Sequence, residues 1–578
     1  MLKEVFDMEI RGPKAPKDPT KKRKNFYIMR NKDIAASPKK EGGGVCFIYE
    51  NDGRMISASG LVGGITDEEE LNLLKTTEGF RKLVHSIGVT VESNEHAEDV
   101  TFVFQMYGKR DVYGSGTNII SPIPTNGMEI VIDLNDIDWS DDDNEPGQIR
   151  FEFARSGVKA TVSVRFYLND GYDAPEVEDE HPVDIHSDEY KAMIEKSLMN
   201  MGNNHRIKKA LDKARNGEKT TLAFIGGSIT QGAGAVPINT ECYARKIYEG
   251  FCDMTGCKYD TNVSYIKAGV GGTPSELGML RYDKDILKEG SPDVVVVEFA
   301  VNDEGDETKG ECFDSLVRKI YEGSSHPAVL ILFSVFADDY NLQDRLKCVG
   351  EAYDLPMVSI KNAVTDQFYL KFGSGRVVSK NQYFYDRYHP SNLGHRIMAD
   401  GVLNMFALAD KGTYDEEIVS LKDIKAPIGS DFENVIRIDR DENPTDLKLA
   451  CGSYSGCDID IQAVERNMDL FTTPQFKNNW MYEGKLSKGE IEPFTVEGTF
   501  KILLMVFKDS AENRTGRADV YVDGVKTFHA DPREVGWTHC NAAIVYRSSE
   551  SGFHKAEVRI EDGCEDKEFT ILGFGAVL

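Results

Sequence analysis

The chain has 578 residues, a net charge of −28 and 40% hydrophobic residues. That length allows roughly three to four domains, and the hydrophobic content excludes a disordered chain. The acidity disfavours nucleic acid or an anionic membrane as partner, because phosphate binding needs clustered Lys and Arg; it suits a neutral ligand such as a sugar polymer.

The N-terminus, Met1 to Ile10, carries charges where a signal peptide needs an apolar core. No run of about 18 apolar residues exists to cross a membrane, so a cytoplasmic protein is expected. Lys14 to Lys24 is basic and Pro-containing, and residues 1–24 are expected to form a mobile, solvated segment. Residues 25–175 read as all-β. Val100–Tyr107, Met128–Leu134, Ile149–Phe153 and Val158–Phe166 are short β-rich runs, the last two largely alternating, separated by turn-rich pieces. A sandwich is expected there, interrupted by one helix near Asp67 to Ser86. The acidic, polar stretch Asp170 to Pro182 reads as a linker, followed by a helical stretch from Ser187 to Asn216.

Over residues 187–412 the pattern changes to α/β. Apolar runs at Leu222–Ile225, Val263–Ile266, Val294–Phe299, Val329–Val335 and Met357–Ile360 alternate with helical stretches near 241–254, 276–289, 311–323, 341–353 and 391–408. Continuous apolar strands in such alternation predict a parallel sheet with helices on both faces, and ligands then sit at the C-terminal strand ends. From 425 to 578 the chain is all-β again, expected as a second sandwich, with strands at Thr499–Phe507, Ala518–Gly524, Lys555–Ile560 and Phe569–Phe574 and a tight turn at Asp523-Gly524. Trp139, Trp480 and Trp537 are expected as core or interdomain aromatics, with a sugar-binding platform on the flanking domains as the alternative for each. The ten cysteines form no CxxC and have no histidines at zinc spacing, so free thiols and no metal are expected.

The chemistry concentrates in short segments that follow strands. Ser228, in Gly226-Gly-Ser-Ile-Thr230, follows an apolar strand, and a serine becomes a nucleophile once a base takes its proton. His389 can be that base. Asp386, three residues earlier in a turn-like segment, can reach the imidazole Nδ1 and fix its tautomer. Ser391 is a potential N-cap for the helix beyond. A developing oxyanion needs donors: the Ser228 N–H, a backbone N–H of Ala268-Gly-Val-Gly-Gly-Thr273, and the amide of Asn302 are candidates. Taken singly, Ser228 could be a helix cap, Gly271-Gly272 a plain turn and Asn302-Asp303 a loop.

Taken together and in order, these segments resemble the SGNH, or GDSL-like, hydrolase family across residues 218–410. The resemblance implies Ser228 as nucleophile, His389 as base, Asp386 as its orienting carboxylate, and an oxyanion hole of Ser228, Gly272 and Asn302, with Gly271 the alternative donor within its loop. It also implies a flavodoxin-like three-layer domain, β domains of jelly-roll type, and no metal or organic cofactor. Three positions depart from the family pattern: GGSIT stands for GDSL, Ala300 for a glycine, and Lys267 for an asparagine. Thr230 replaces the second glycine of G-x-S-x-G, which separates the segment from the α/β-hydrolase elbow. Asp303 and His395 are expected to be structural, and Arg281 a salt-bridge residue.

The family includes lipases, thioesterases, lysophospholipases and carbohydrate esterases. Flanking β domains and the lack of greasy lid helices favour the last. The expected activity is removal of acyl, above all acetyl, groups from plant-polysaccharide oligosaccharides such as xylan or mannan fragments. Nothing in the sequence supports a homo-oligomer. A phosphate cradle at Gly226 to Gly234 lacks the GK[ST] of a P-loop. A non-catalytic sugar-binding protein would leave the four-segment set unexplained.

Overall fold

The computed structural model describes residues 22–50, 53–94, 99–178, 180–259, 261–371, 373–464, 473–484 and 490–578. Most of the expected mobile segment lies outside them. Its end does not behave as a free tail: the Lys24 carbonyl accepts from the Leu168 N–H at 2.9 Å, and Arg23 and Lys24 pair with Asp170 and Asp173. Among the described residues no helix is long and apolar enough to cross a membrane.

The central sheet has six strands in the order Leu198–Asn200, Met357–Ser359, Ala328–Phe333, Val294–Glu298, Thr220–Gly226, Val263–Gly269. The last five are parallel. Leu198–Asn200 runs antiparallel at the edge, so the sheet is mixed rather than wholly parallel. It also splits the single helical stretch expected over 187–216 into helices Asp188–Glu195 and His205–Arg215. Gly202, at φ +57°, makes the turn between strand and second helix, where a Cβ would lie 2.3 Å from the Leu355 carbonyl carbon.

Buried on both faces, the strands read as unbroken apolar runs. Leu222 and Phe224 point into the core shared with helices His205–Arg215, Tyr243–Thr255 and Asn392–Lys411. Ala223 and Ile225 point into the core shared with helices Ser275–Tyr282 and Glu311–Tyr321. From Thr220–Gly226 the chain adds Val263–Gly269 on one side, then crosses to Val294–Glu298 on the other. The crevice at this reversal is where such sheets bind ligands. Arg281, fully buried, ties the two strand ends beneath it, donating to the carbonyls of Ala268 at 2.6 Å and Gly226 at 2.7 Å and to Asp285 at 3.2 Å.

The N-terminal unit is a sandwich of four- and five-stranded antiparallel sheets around one core. The helix expected at 67–86 is two short ones, Glu68–Leu73 and Thr77–Leu83, capped by Asp67 and Thr76; from Val84 the chain pairs with Leu168 as a strand. Helix Arg54–Leu61 was not expected. The stretch 170–182 is a joint rather than a linker. Glu180 accepts from Asn381 at 2.8 Å, lies 3.5 Å from Arg30, and also accepts from Ser379.

The C-terminal strands form one hydrogen-bonded eight-stranded antiparallel network, with a separate two-stranded sheet. The network folds over a core of its own: Phe494 pairs with Val558 and Phe574 with Met505, yet the Phe494 and Phe574 rings lie 5.3 Å apart. Strand Phe494–Asp509 alternates: Leu503, Met505 and Phe507 enter a core of its own unit, while Ile502, Leu504 and Val506 join the core beneath helix Ser275–Tyr282. Asp523 and Gly524, at φ +51° and +82°, make the expected tight turn.

Replacing Arg281 with Met removes the guanidinium from the buried ion pair with Asp285 and takes one donor from each of the Ala268 and Gly226 carbonyls, a loss of about 3–5 kcal/mol. Thermal unfolding is expected to show a clearly lowered transition; an unchanged melting curve contradicts this role.

Candidate active site

Two glycines let the first segment turn tightly after strand Thr220–Gly226. A Cβ on Gly226 would lie 2.1 Å from Thr230 Oγ1, and one on Gly227 2.0 Å from Asn302 Oδ1. Gly227 therefore stands in the GDSL aspartate position because the Asn302 amide lies against its Cα. Ser228 opens the short helix Ser228–Gln231, so its N–H has no intrahelical acceptor.

His389 Nε2 lies 3.0 Å from Ser228 Oγ, and Nδ1 lies 2.9 Å from both carboxylate oxygens of Asp386. The carboxylate accepts a hydrogen from Nδ1, which leaves Nε2 bare to accept the serine proton. Asp386 also accepts the N–H groups of Tyr388 at 2.8 Å and His389 at 2.9 Å, which closes the turn. Burial opposes its ionisation, but His389, the Tyr388 N–H and Arg54 outweigh that and hold its pKa below the usual value. Arg54 belongs to the N-terminal unit and reaches within 4.0 Å of Asp386 Oδ2. Ser391 caps helix Asn392–Lys411 through the Gly394 N–H.

The glycine loop follows strand Val263–Gly269. A Cβ on Gly271 would lie 3.9 Å from Ser228 Cβ, and one on Gly272, at φ +67°, 2.6 Å from Trp537 Cη2. Neither glycine N–H has a hydrogen-bond acceptor among the described residues. Lys267 is buried, its ammonium donating to Gln231 O at 2.9 Å and Asn239 Oδ1 at 2.5 Å, which braces the end of the Ser228 helix. Asn302 follows strand Val294–Glu298; its Oδ1 is buried without a donor among the described residues.

Asp303 accepts from the Ser275 N–H at 2.8 Å and hydroxyl at 2.9 Å, joining the Asn302 loop to the helix after the glycine loop. It lies in a buried acidic group. Burial, then Asp306, push its pKa up to about 8; burial, then Asp306, Glu307 and Asp303, push Glu276 up to about 10. His395 is fully buried, hydrogen-bonded to the Tyr243 N–H and the Ala233 carbonyl, and burial lowers it to about 3.

The sequence reading missed Arg54, Gln462 and His539, which reach this site from the flanking units; Trp537, expected as a core or interdomain aromatic, reaches it too. Arg54 comes from the N-terminal side. On the other side, Gln462 Nε2 donates to the Gly271 carbonyl at 2.5 Å, His539 Nε2 lies 3.2 Å from the Gly272 carbonyl, and Trp537, 45% exposed, lies against Gly272. No local pattern marks Arg54, Gln462 or His539, because each partner is far away in sequence. Trp480 is a core residue and Trp139 is half-buried against the N-terminal core.

Residues 224–397 match the family model of the GDSL-like lipase/acylhydrolase family. The chain thus carries a GDSL-like, SGNH-type acylhydrolase domain and is an esterase of that kind. Among solved structures it is similar to a two-domain esterase, CEX, active on acetylated mannans. The identity is 26%, the TM-score 0.55, and the match covers 66% of this chain and 98% of that one. The same esterase co-crystallised with mannopentaose matches at 25% identity and TM-score 0.55 over the same shares. No curated protein sequence matched the chain.

Glu276 binds its proton far more tightly in the folded chain than unfolded. The stability this gives is complete below about pH 4.5 and is lost as pH rises toward 10. Each pH unit in that window costs up to about 1.4 kcal/mol. Glu276→Gln is therefore expected to lose less thermal stability than the parent between pH 6 and 9; equal losses contradict the assignment.

Proposed function

We propose that the chain removes acetyl groups from carbohydrate, with acetylated manno-oligosaccharides as the first candidate substrate and xylo-oligosaccharides as the second. The reading rests on one observation above all: the Asp386–His389–Ser228 relay, with contacts of 2.9 and 3.0 Å at the sheet's reversal point. The 26% identity to an esterase active on acetylated mannans supports the carbohydrate class and puts mannan first.

In this proposal Ser228 Oγ attacks the ester carbonyl while His389 Nε2 takes its proton. The carbonyl oxygen becomes an oxyanion, held by the N–H groups of Ser228 and Gly272 and by Asn302 Nδ2. Collapse expels the sugar hydroxyl, protonated by His389, and leaves acetyl on Ser228. Water, deprotonated by His389, attacks that ester; collapse releases acetate and returns the proton to Ser228. Asp386 stays ionised and stabilises the imidazolium formed in each half.

Acetate release from acetylated manno-, xylo- and gluco-oligosaccharides tests the proposal. Release is expected fastest from the manno series, with none from Ser228→Ala. Asp386→Asn is expected to lower kcat by about 10³–10⁴ without unfolding the chain. Full activity in Ser228→Ala defeats the mechanism. Hydrolysis of p-nitrophenyl acetate without acetate release from any oligosaccharide favours an acyl ester of another kind, and glycan binding without any hydrolysis favours a sugar-binding protein.

A further inference from the structure

The glycine loop is gripped from outside by a unit nearly two hundred residues away. Gln462 donates to the Gly271 carbonyl, and its own Oε1 accepts the Cys540 N–H at 3.0 Å, so the amide is fixed at both ends. The next carbonyl, Gly272, faces His539 Nε2 at 3.2 Å, whose Nδ1 lies 2.9 Å from Asp509 Oδ2. Asp509 is fully buried and also accepts from Asn541 at 3.3 Å.

Peptide geometry turns these contacts into an orientation. The Gly271 carbonyl and the Gly272 N–H belong to one planar trans peptide and point in opposite directions. Holding the carbonyl toward Gln462 aims the Gly272 N–H away from the C-terminal sheet. Gly272 has the positive φ the turn needs, and the Trp537 edge against its Cα leaves no room for another side chain.

We propose that Gln462 and the Asp509–His539 pair are positioning residues for the oxyanion hole, and that the C-terminal sheet is thereby a working part of the esterase site. The proposal rests on the reading of Ser228, Gly272 and Asn302 given above. Asp509–His539 resembles Asp386–His389 in form but ends on a carbonyl instead of a hydroxyl. Both His539 nitrogens face acceptor oxygens, and the contacts serve only to pin the loop. No bond forms or breaks there.

The test uses the full chain with Gln462→Ala, His539→Ala and His539→Gln. Two quantities are measured: steady-state hydrolysis of p-nitrophenyl acetate, and affinity for phenylboronic acid, whose boron bonds to Ser228 Oγ as a tetrahedral adduct with an oxygen in the hole. A misaimed donor is expected to lower kcat by about 10- to 100-fold, with KM within about threefold. Boronate affinity should fall by a similar factor, and His539→Gln should recover most of both by keeping an N–H donor for the Gly272 carbonyl. A kcat within about threefold of the parent in both alanine variants overturns the proposal, as does a kcat loss with unchanged boronate affinity. If His539→Ala misfolds, as read by near-ultraviolet circular dichroism, Gln462→Ala decides alone. Turnover or boronate adduct formation by Ser228→Ala would instead defeat the underlying mechanism.

Discussion

The 3.0 Å contact between Ser228 Oγ and His389 Nε2 is the constraint that organises this molecule. It joins the end of a buried strand to a turn 161 residues later, and neither end is rigid by itself. A hydroxyl attacks only when its base is within hydrogen-bond reach and correctly aimed. The rest of the α/β unit holds those two ends. Arg281 ties the strand ends beneath Ser228, Lys267 braces the helix that carries Ser228, and Asp386 closes the turn that carries His389.

The flanking units extend that support to opposite sides of the cleft. The N-terminal sandwich brings Arg54 to Asp386 and buries Lys32, whose ammonium donates to the Asn381 carbonyl near the histidine turn. Burial lowers Lys32 to about 8, so the joint contains a strained charge compensated by Glu180 and Asp33. The C-terminal sheet meets the glycine loop through Gln462, His539 and Trp537, and its apolar face continues the core beneath helix Ser275–Tyr282. A shared core of that kind makes the contact part of folding rather than a loose docking of modules.

The parts of the site that were legible in sequence are those encoded locally. Strand, glycine turn and polar residue follow one another within a few positions at Ser228, Gly272 and Asn302, and Asp386 and His389 share one turn. Four helices were read within a few residues of their ends because their apolar periodicity matches their burial: Tyr243–Thr255, Glu311–Tyr321, Gln343–Ala352 and Asn392–Lys411. What was not legible depends on distant pairing. Leu198–Asn200 reads as helix until it finds Met357–Ser359. Glu180 reads as linker until Ser379 and Asn381 meet it. His539 drew no reading from sequence, because its partners Asp509 and Gly272 are 30 and 267 residues away. The clearest C-terminal strands were legible, but not that Phe494–Asp509 folds over so that both its halves face one core, because alternation reports which side chains share a face, not where a strand bends.

The central claim is that Ser228, His389 and the donors around Gly272 and Asn302 form one reacting site. A crystal structure of the chain treated with a p-nitrophenyl phosphonate ester tests it most directly, because the adduct places a phosphoryl oxygen where the oxyanion forms. The account predicts phosphorus bonded to Ser228 Oγ, with that oxygen within about 2.7–3.1 Å of the Ser228 N–H, the Gly272 N–H and Asn302 Nδ2. An adduct on another residue, or a phosphoryl oxygen turned away from those donors, would contradict it.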